Sequence, residues 1–263
     1  MDSAGTRTRV TRCLVEHLAA GRLALTGPAA HHLAHVRRMR AGDRLVLFDG
    51  AGCEAAAVVL DVNRRAVTLA VDAPYAVRRR AGPPVALIFA LSKGDKPEWI
   101  AEKACELGAA EIVVFAAERS VVRWGPEQVE RKLARLTATI AGACAQCGRA
   151  DAPRVHFAPT LAAAAERAAA YEVRVAFDPG ASESLPEVLA ANAGKSLCLL
   201  SGPEGGLTDA ELAWLVERGW AAAHLGPRVL RAETAALAAL AVAQASLEAS
   251  SFVLSEPDEQ DER

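Results

Sequence analysis

Two stretches near the C-terminal end decide how this chain is read: Ser201-Gly-Pro-Glu-Gly-Gly-Leu-Thr208 and Leu225-Gly-Pro-Arg-Val-Leu-Arg-Ala-Glu-Thr-Ala235. Each follows a short apolar run, Leu197–Leu200 and Ala222–Leu225, that reads as a buried strand, and each leads into a helical pattern. Gly/Pro-rich loops at adjacent strand ends are where an open α/β sheet binds a small ligand. The first loop is neither G-x-G-x-x-G nor a P-loop: Glu204 interrupts the glycines, Pro203 lacks an N–H, and no Gly-Lys-Ser/Thr follows. A carboxylate in the loop repels phosphate and suits a hydroxyl or a cation, which argues against a nucleoside triphosphate.

Working outward, strands alternate with helices from residue 85 onward. Val85–Ala90, Glu111–Ala116, Val173–Phe177, Leu197–Leu200 and Ala222–Leu225 read as strands. Helices are expected over Pro97–Leu107, stopped by Gly108, over Pro126 to Gly148, and over Glu233–Ala249. Thr208-Asp-Ala-Glu211 is a capping-box pattern that starts another. This order implies a mostly parallel sheet covered by helices. The alanine-dense last helix suits close packing, either at a dimer or interdomain face or as a simple buried helix.

The first 75 residues have a different rhythm. Arg44–Asp49, Ala55–Leu60 and Ala66–Val71 are short strands separated by turns at Asp49-Gly50 and Asn63–Arg65, with one helix expected at His31–Met39. A small β-barrel is expected there. The predicted layout is a β-domain over 1–75, a linker over 76–84, an α/β domain over 85–250 and an acidic, disordered tail over 251–263.

The overall charge of −2 hides an asymmetry: residues 1–81 carry 13 Lys and Arg against 7 Asp and Glu, and the remainder is net acidic. A basic N-terminal third fits an RNA-facing appendage, or ordinary solvated surface. Arg78-Arg-Arg80 either tracks RNA or keeps a linker soluble. Of six cysteines only Cys144 and Cys147 are spaced C-x-x-C, and no second pair accompanies them, so no metal is expected. His31 and His35 are four apart but lack a third ligand. Met1–Val10 has no apolar signal region and no stretch is long enough to span a bilayer, so a cytoplasmic protein without a membrane partner is expected.

With these residues assembled, the chain from about Thr11 to Glu248 resembles the RsmE family. The resemblance rests on Thr11–Glu16, His32-Leu-Ala-His-Val-Arg-Arg-Met-Arg40 with Gly42-Asp43 and Phe48-Asp-Gly50, Ser92-Lys-Gly-Asp-Lys96, Lys103–Gly108, Glu118-Arg-Ser-Val-Val122, Gln146-Cys-Gly-Arg149 and the two C-terminal loops. It implies an α/β fold of SPOUT type with a C-terminal trefoil knot, preceded by a PUA-like β-barrel. The implied activity is S-adenosyl-L-methionine-dependent methylation of N3 of a uridine in 16S ribosomal RNA of the small subunit, by a homodimer. Three positions depart from the family pattern: Ala145 stands where Glu is common, Ala232 where Thr is usual, and Pro97 opens the helix after Lys96. Ala145 removes any acid/base role at that position.

The chemistry and the resemblance together assign candidates. For the cofactor these are Phe177, Asp178, Leu200, Gly202, Pro203, Glu204, Gly205, Gly206, Leu225, Gly226, Leu230 and Ala235. Glycines permit close backbone approach. Leu200, Leu225 and Leu230 are expected to form an apolar adenine slot, and the resemblance implies Phe177 with Asp178 as a third wall. Glu204 either accepts from ribose or offsets the sulfonium charge, or else simply faces a helix N-terminus. For catalysis, Arg231 is expected to stabilise the uracil anion or grip phosphate, with Glu233 orienting it or serving only as a first-turn carboxylate. Phosphate contacts are expected from Arg12, Arg37, Arg38, Arg40 and Arg149, each of which is alternatively plain surface charge. Two other readings stay open: a non-catalytic RNA-binding assembly factor, and a SPOUT enzyme with another RNA target. A dinucleotide dehydrogenase is remote, because no fingerprint follows the early strands.

Overall fold

The computed structural model describes residues 10–77 and 82–253, with side chains to residue 247. The Arg78–Arg80 trio, most of the N-terminal segment and the acidic tail beyond Val253 lie outside the described residues. The chain divides into two compact units, residues 1–79 with 141–152, and residues 80–140 with 153–263.

In the first unit a six-stranded mixed sheet runs β1 (Thr11–Leu14), β3 (Arg44–Phe48), β4 (Cys53–Val62), β5 (Ala66–Val71), β2 (Gly21–Thr26), with β6 (Tyr75–Ala76) on β4. Only β1 and β3 pair in parallel; the other pairs are antiparallel. Strict alternation sets the inner face. Ala55, Ala57 and Val59 of β4 are buried, whereas Ala56, Val58 and Leu60 are exposed. They join Leu25, Leu45, Leu47, Val67 and Leu69 in one apolar core, closed by Leu33 and Met39. At the Phe48-Asp-Gly50 turn, Asp49 Oδ1 accepts the N–H groups of Ala51, Gly52 and Cys53 at 2.7, 3.0 and 3.0 Å. Partial burial opposes its charge, yet these donors hold the Asp49 carboxyl below the usual range.

The helix expected over His31–Met39 is shifted towards the N-terminus. It begins with α1 (Gly27–His31), where Pro28 fits the first turn, and continues as a π-helical turn over His32–Val36. It stops there because Arg38 adopts φ +55°, and Met39 N–H turns back to Leu33 C=O at 3.0 Å.

The second unit is a seven-stranded parallel sheet. Its order is β11 (Glu183–Ser184), β13 (Ala221–His224), β10 (Val173–Phe177), β12 (Leu197–Ser201), β7 (Val85–Ala90), β8 (Glu111–Phe115), β9 (Arg154–Ala158). β7, β8 and β12 are buried along their whole length, as continuous apolar runs of a two-sided sheet should be. α2 (Lys96–Glu106), α5 (Leu185–Ala190) and α7 (Ala232–Val253) pack together, and α7 lies along β12 and β7. α4 (Leu161–Ala168) packs on β8 and β9, and α6 (Asp209–Val216) on β13. The long α3 spans Pro126–Cys147. The capping box at α6 is formed: Thr208 Oγ1 accepts from Glu211 N–H at 3.1 Å, and Glu211 Oε2 accepts from Thr208 N–H at 2.8 Å.

Strand order positions the site. The chain goes from β10 to β12 on one side of it, then to β13 on the other side. It then returns to enter α7 beside β12, where Ser201 Oγ donates to Ala232 C=O at 3.3 Å. Three segments leaving the carboxyl ends of adjacent parallel strands therefore converge around β10, the switch point at which such sheets bind ligands.

Candidate functional site

Those three segments enclose a cleft of about 390 Å³, within the usual range of small-molecule sites, ~300–1,000 Å³. Eleven of the twelve residues expected at the cofactor line it: Phe177, Asp178, Gly202, Pro203, Glu204, Gly205, Gly206, Leu225, Gly226, Leu230 and Ala235. Leu200 is the exception. It is 0% exposed, packed in the core with Ile88, Phe115 and Leu215. Successive strand residues point to opposite faces, so the residue at the rim is its neighbour Ser201.

The first loop is tightly folded. A Cβ on Gly202 would stand 2.9 Å from the Leu207 backbone nitrogen, closer than real side chains come. Gly206 adopts φ +70° and donates its N–H to Pro203 C=O at 2.9 Å. Arg119, which the sequence reading left unassigned, holds the loop from outside: Arg119 Nη1 donates to Gly205 C=O at 2.9 Å and Leu207 C=O at 3.3 Å. In the second loop, Gly226 at φ +103° gives its N–H to His224 Nδ1 at 3.1 Å. On the third segment, Asp178 N–H donates to Ala223 C=O at 3.1 Å, tying it to β13.

The electrostatics centre on Lys96, also missing from the expected set. Its ammonium donates to Glu204 Oε1 at 3.0 Å and to Glu233 Oε2 at 3.2 Å, joining the first loop to the start of α7. The expected Glu233–Arg231 pairing is therefore replaced. The Glu233 side chain is 13% exposed and faces Lys96, whereas Arg231 is exposed and its side chain has no partner among the described residues. Arg231 sits between Leu230 and Ala232, which both line the cleft. The Glu204 carboxyl lies below its usual range: partial burial works against this, but its own backbone N–H and Lys96 outweigh it, with Lys93 adding to the effect. Lys96 is held above the usual lysine range, chiefly by Glu204 and then by Glu233, against some desolvation.

These directions predict a pH signature. A depressed Glu204 stabilises the fold above its ordinary pKa, and the contribution disappears as pH falls through the folded value. A raised Lys96 stabilises below its ordinary pKa, and this is lost as pH rises through its folded value. Lys96→Met should thus lower unfolding free energy at pH 7 by at most ~1 kcal/mol, because the pair is solvent-screened. The deficit should close in acid and in strong alkali. Urea titrations across pH would show this; a pH-independent deficit would mean that packing, not charge, is what Lys96 contributes.

The five expected RNA contacts separate into two groups. Arg37, Arg38 and Arg40 are exposed on the turn that ends the first unit's helix. Arg12 and Arg149 are instead committed internally, each with its side chain 11% exposed. Arg12 pairs with buried Glu54, donates to Arg149 C=O at 3.3 Å and lies over the Phe48 ring; Arg149 pairs with Asp151 at 2.9 Å. Guanidinium groups so occupied brace the fold rather than present themselves to phosphate. The rings of His31 and His35 pack against each other at a tilt, with centroids 4.8 Å apart. No cluster of three His, Cys, Asp or Glu able to hold a metal occurs among the described residues.

Comparison with known proteins identifies the family. Residues 80–244 match the RNA methyltransferase domain family, and residues 25–72 match the RNA methyltransferase PUA domain family. Ribosomal RNA small subunit methyltransferase E of Bacillus subtilis is 34% identical over 224 residues, covering 82% of this chain and 87% of the relative. A methyltransferase of Legionella pneumophila, solved with SAM bound, superposes with a TM-score of 0.83 at 32% identity, covering 91% of this chain and 98% of its own. The Neisseria gonorrhoeae ribosomal RNA small subunit methyltransferase E, bound to S-adenosyl methionine, does so with a TM-score of 0.79 at 26% identity, covering 90% and 97%. A cleft built by glycine loops at the switch point, a domain match over residues 80–244 and relatives that align along most of the chain lead to one assignment: this chain belongs to the RsmE family of RNA methyltransferases.

Proposed function

We propose that this chain is an S-adenosylmethionine-dependent methyltransferase acting on N3 of a uridine in 16S RNA of the small ribosomal subunit, as a cytoplasmic homodimer. The observation that carries the reading is the convergence of three loops on one cleft at the ends of β10, β12 and β13. The donor set fits the cofactor. Backbone groups of the glycine loops approach a ligand closely, Leu225 and Leu230 offer apolar surface for adenine, and Glu204 and Asp178 supply carboxylates for ribose or a cationic centre. When bound, S-adenosylmethionine supplies a methyl group on a positively charged sulfur. Three carboxylates, Asp178, Glu204 and Asp209, line the cleft together with two guanidinium groups, Arg119 and Arg228, and Lys96 faces Glu204.

The uracil N3–H is a weak acid, and N3 becomes nucleophilic as its proton leaves to solvent. The Arg231 guanidinium stabilises the negative charge that spreads onto the uracil oxygens. Arg37, Arg38 and Arg40 contact RNA phosphates from the PUA-like unit.

Isothermal titration with S-adenosylmethionine and, separately, NAD tests the cofactor. Saturable binding of the former alone is expected, together with methyl transfer to N3 of a 16S uridine in unmodified small subunits. A folded protein that binds no S-adenosylmethionine would sink the proposal. Binding without transfer to these subunits would redirect it to another RNA.

A further inference from the structure

A second cleft, of about 330 Å³, opens at the ends of β7 and β8. Its walls come from the segment after β7 with the start of α2, and from the segment leading into α3 with the first turns of that helix, and its charge is strongly one-sided. Arg123, Arg131 and Lys132 line it against a single carboxylate, Asp95, which is already paired with Arg135 at 3.0 Å. Lys132 is partly engaged, 3.8 Å from Glu98. Among the described residues, Arg123 donates to the Glu118 carbonyl at 3.2 Å and to no other acceptor, and the Arg131 side chain has no partner.

Two further features belong to the same walls. Trp124, half-buried, rests against Phe157 with ring centroids 5.4 Å apart, and the Lys132 ammonium stands 5.9 Å from its centroid. Ser92 is 5% exposed, lines the cleft, and its hydroxyl has no hydrogen-bond partner. A buried hydroxyl left unpaired is costly, so its retention marks a place where a polar group from outside is received. Cations beside an aromatic platform are what single-stranded nucleic acid binding requires, phosphate on the former and a base on the latter.

We propose that this cleft seats one unpaired nucleotide of the RNA substrate, its phosphate on Arg123 and Arg131, its base against Trp124 and a polar edge of that base at Ser92. It adjoins the donor cleft along the chain: Arg119, on the first loop's backbone, is four residues before Arg123, and Lys96, on Glu204, is four after Ser92. The nucleotide held here flanks the one that is methylated. The inference rests on the RNA methyltransferase reading.

The test uses the full chain and a labelled ten-nucleotide, uridine-containing single-stranded RNA, with anisotropy read at several salt concentrations. Arg131→Ala should weaken binding about 10-fold and flatten the log–log salt slope by ~0.7, the share of one phosphate contact. Trp124→Ala should weaken it by a further order of magnitude or so. Ser92→Ala discriminates best: it should leave the melting temperature unchanged or raised, since an unpaired hydroxyl is removed, yet weaken RNA binding several-fold. Affinity for S-adenosylmethionine should stay within two-fold in all three variants. Unchanged RNA affinity and slope in Arg131→Ala and Ser92→Ala would overturn the proposal. So would saturable binding of free UMP at this cleft with RNA binding indifferent to the substitutions, which would make it a mononucleotide site. RNA binding is read without methyl transfer. A wild type that binds RNA through this cleft but methylates nothing would therefore sink the proposed activity alone, and normal methylation with indifferent variants would sink this inference alone.

Discussion

Gly202→Ala is expected to reduce S-adenosylmethionine affinity at least ~30-fold, about 2 kcal/mol, while the protein remains folded. The reason is local and steric. The backbone angle of Gly202 is not in the left-handed region, so alanine brings no conformational strain of its own. Its Cβ would, however, meet the Leu207 nitrogen at 2.9 Å, Leu207 Cγ at 3.1 Å and the Gly206 carbonyl carbon at 3.2 Å. Two of these three atoms are backbone, and the loop is fastened on both sides: internally by Gly206 to Pro203, and externally by Arg119 to Gly205 and Leu207. Relief therefore has to come from moving the loop, which shifts the backbone groups that face the ligand. The helix beyond keeps its own Thr208–Glu211 capping box, so the loss of stability should stay near ~1–3 kcal/mol. Gly205→Ala is the control. Its Cβ meets only the Arg119 side chain at 3.5 Å, an ordinary contact, and its affinity should stay within three-fold of wild type. Titration calorimetry on both variants decides the matter; equal affinities would mean that the close approach at Gly202 does not shape the site.

How far this could be read from sequence depends on the range of each interaction. Continuous apolar runs such as Val85–Ala90 and Leu197–Leu200 announce two-sided burial, and both lie in strands buried along their whole length. Gly108 ends α2 as its lack of a side chain suggests, with φ +91°. Most cleft residues were accessible because the loops are contiguous, so a local pattern delivers a whole wall at once. Leu200 shows the limit of that reasoning: a buried run does not say which of its residues reaches the rim, and pleating gave that place to Ser201. Lys96 could not be found locally, because its carboxylates lie 108 and 137 residues away. Glu54, 42 residues from Arg12, hides a structural pairing behind what reads as a surface arginine. Ser92-Lys-Gly-Asp-Lys96 and Glu118-Arg-Ser-Val-Val122 carried the family resemblance without an assigned role, so nothing local pointed to Lys96 or Arg119 as partners of the first loop. A knotted path would leave no local trace either, since threading belongs to the whole chain, and the expectation of one rests solely on the family resemblance.

Arg231→Ala is expected to lower the methyl-transfer rate constant by ~100–1,000-fold, the range for removing a preorganised donor from a developing anion, with S-adenosylmethionine affinity unchanged. The separation of the two effects follows from position. Leu230 and Ala232 line the cleft but Arg231 does not, so its loss removes nothing from the cofactor's walls. Its backbone is nonetheless fixed, because Arg231 C=O accepts the Ala235 N–H at 2.8 Å at the head of α7. The exposed side chain therefore starts from a rigid point at the rim. Glu233, occupied by Lys96, does not draw the guanidinium away from an incoming base. If Arg231 stabilises the ionised uracil, its removal raises the apparent pKa of N3 in the complex, so the variant's rate should keep climbing to higher pH than the wild type's. Arg231→Lys should recover part of the rate by restoring charge without the bidentate fork. A grip on phosphate predicts the opposite division, a raised KM with kcat and the pH profile preserved. Single-turnover rates across pH separate the two roles, and a rate within a few-fold of wild type would remove Arg231 from the chemistry altogether.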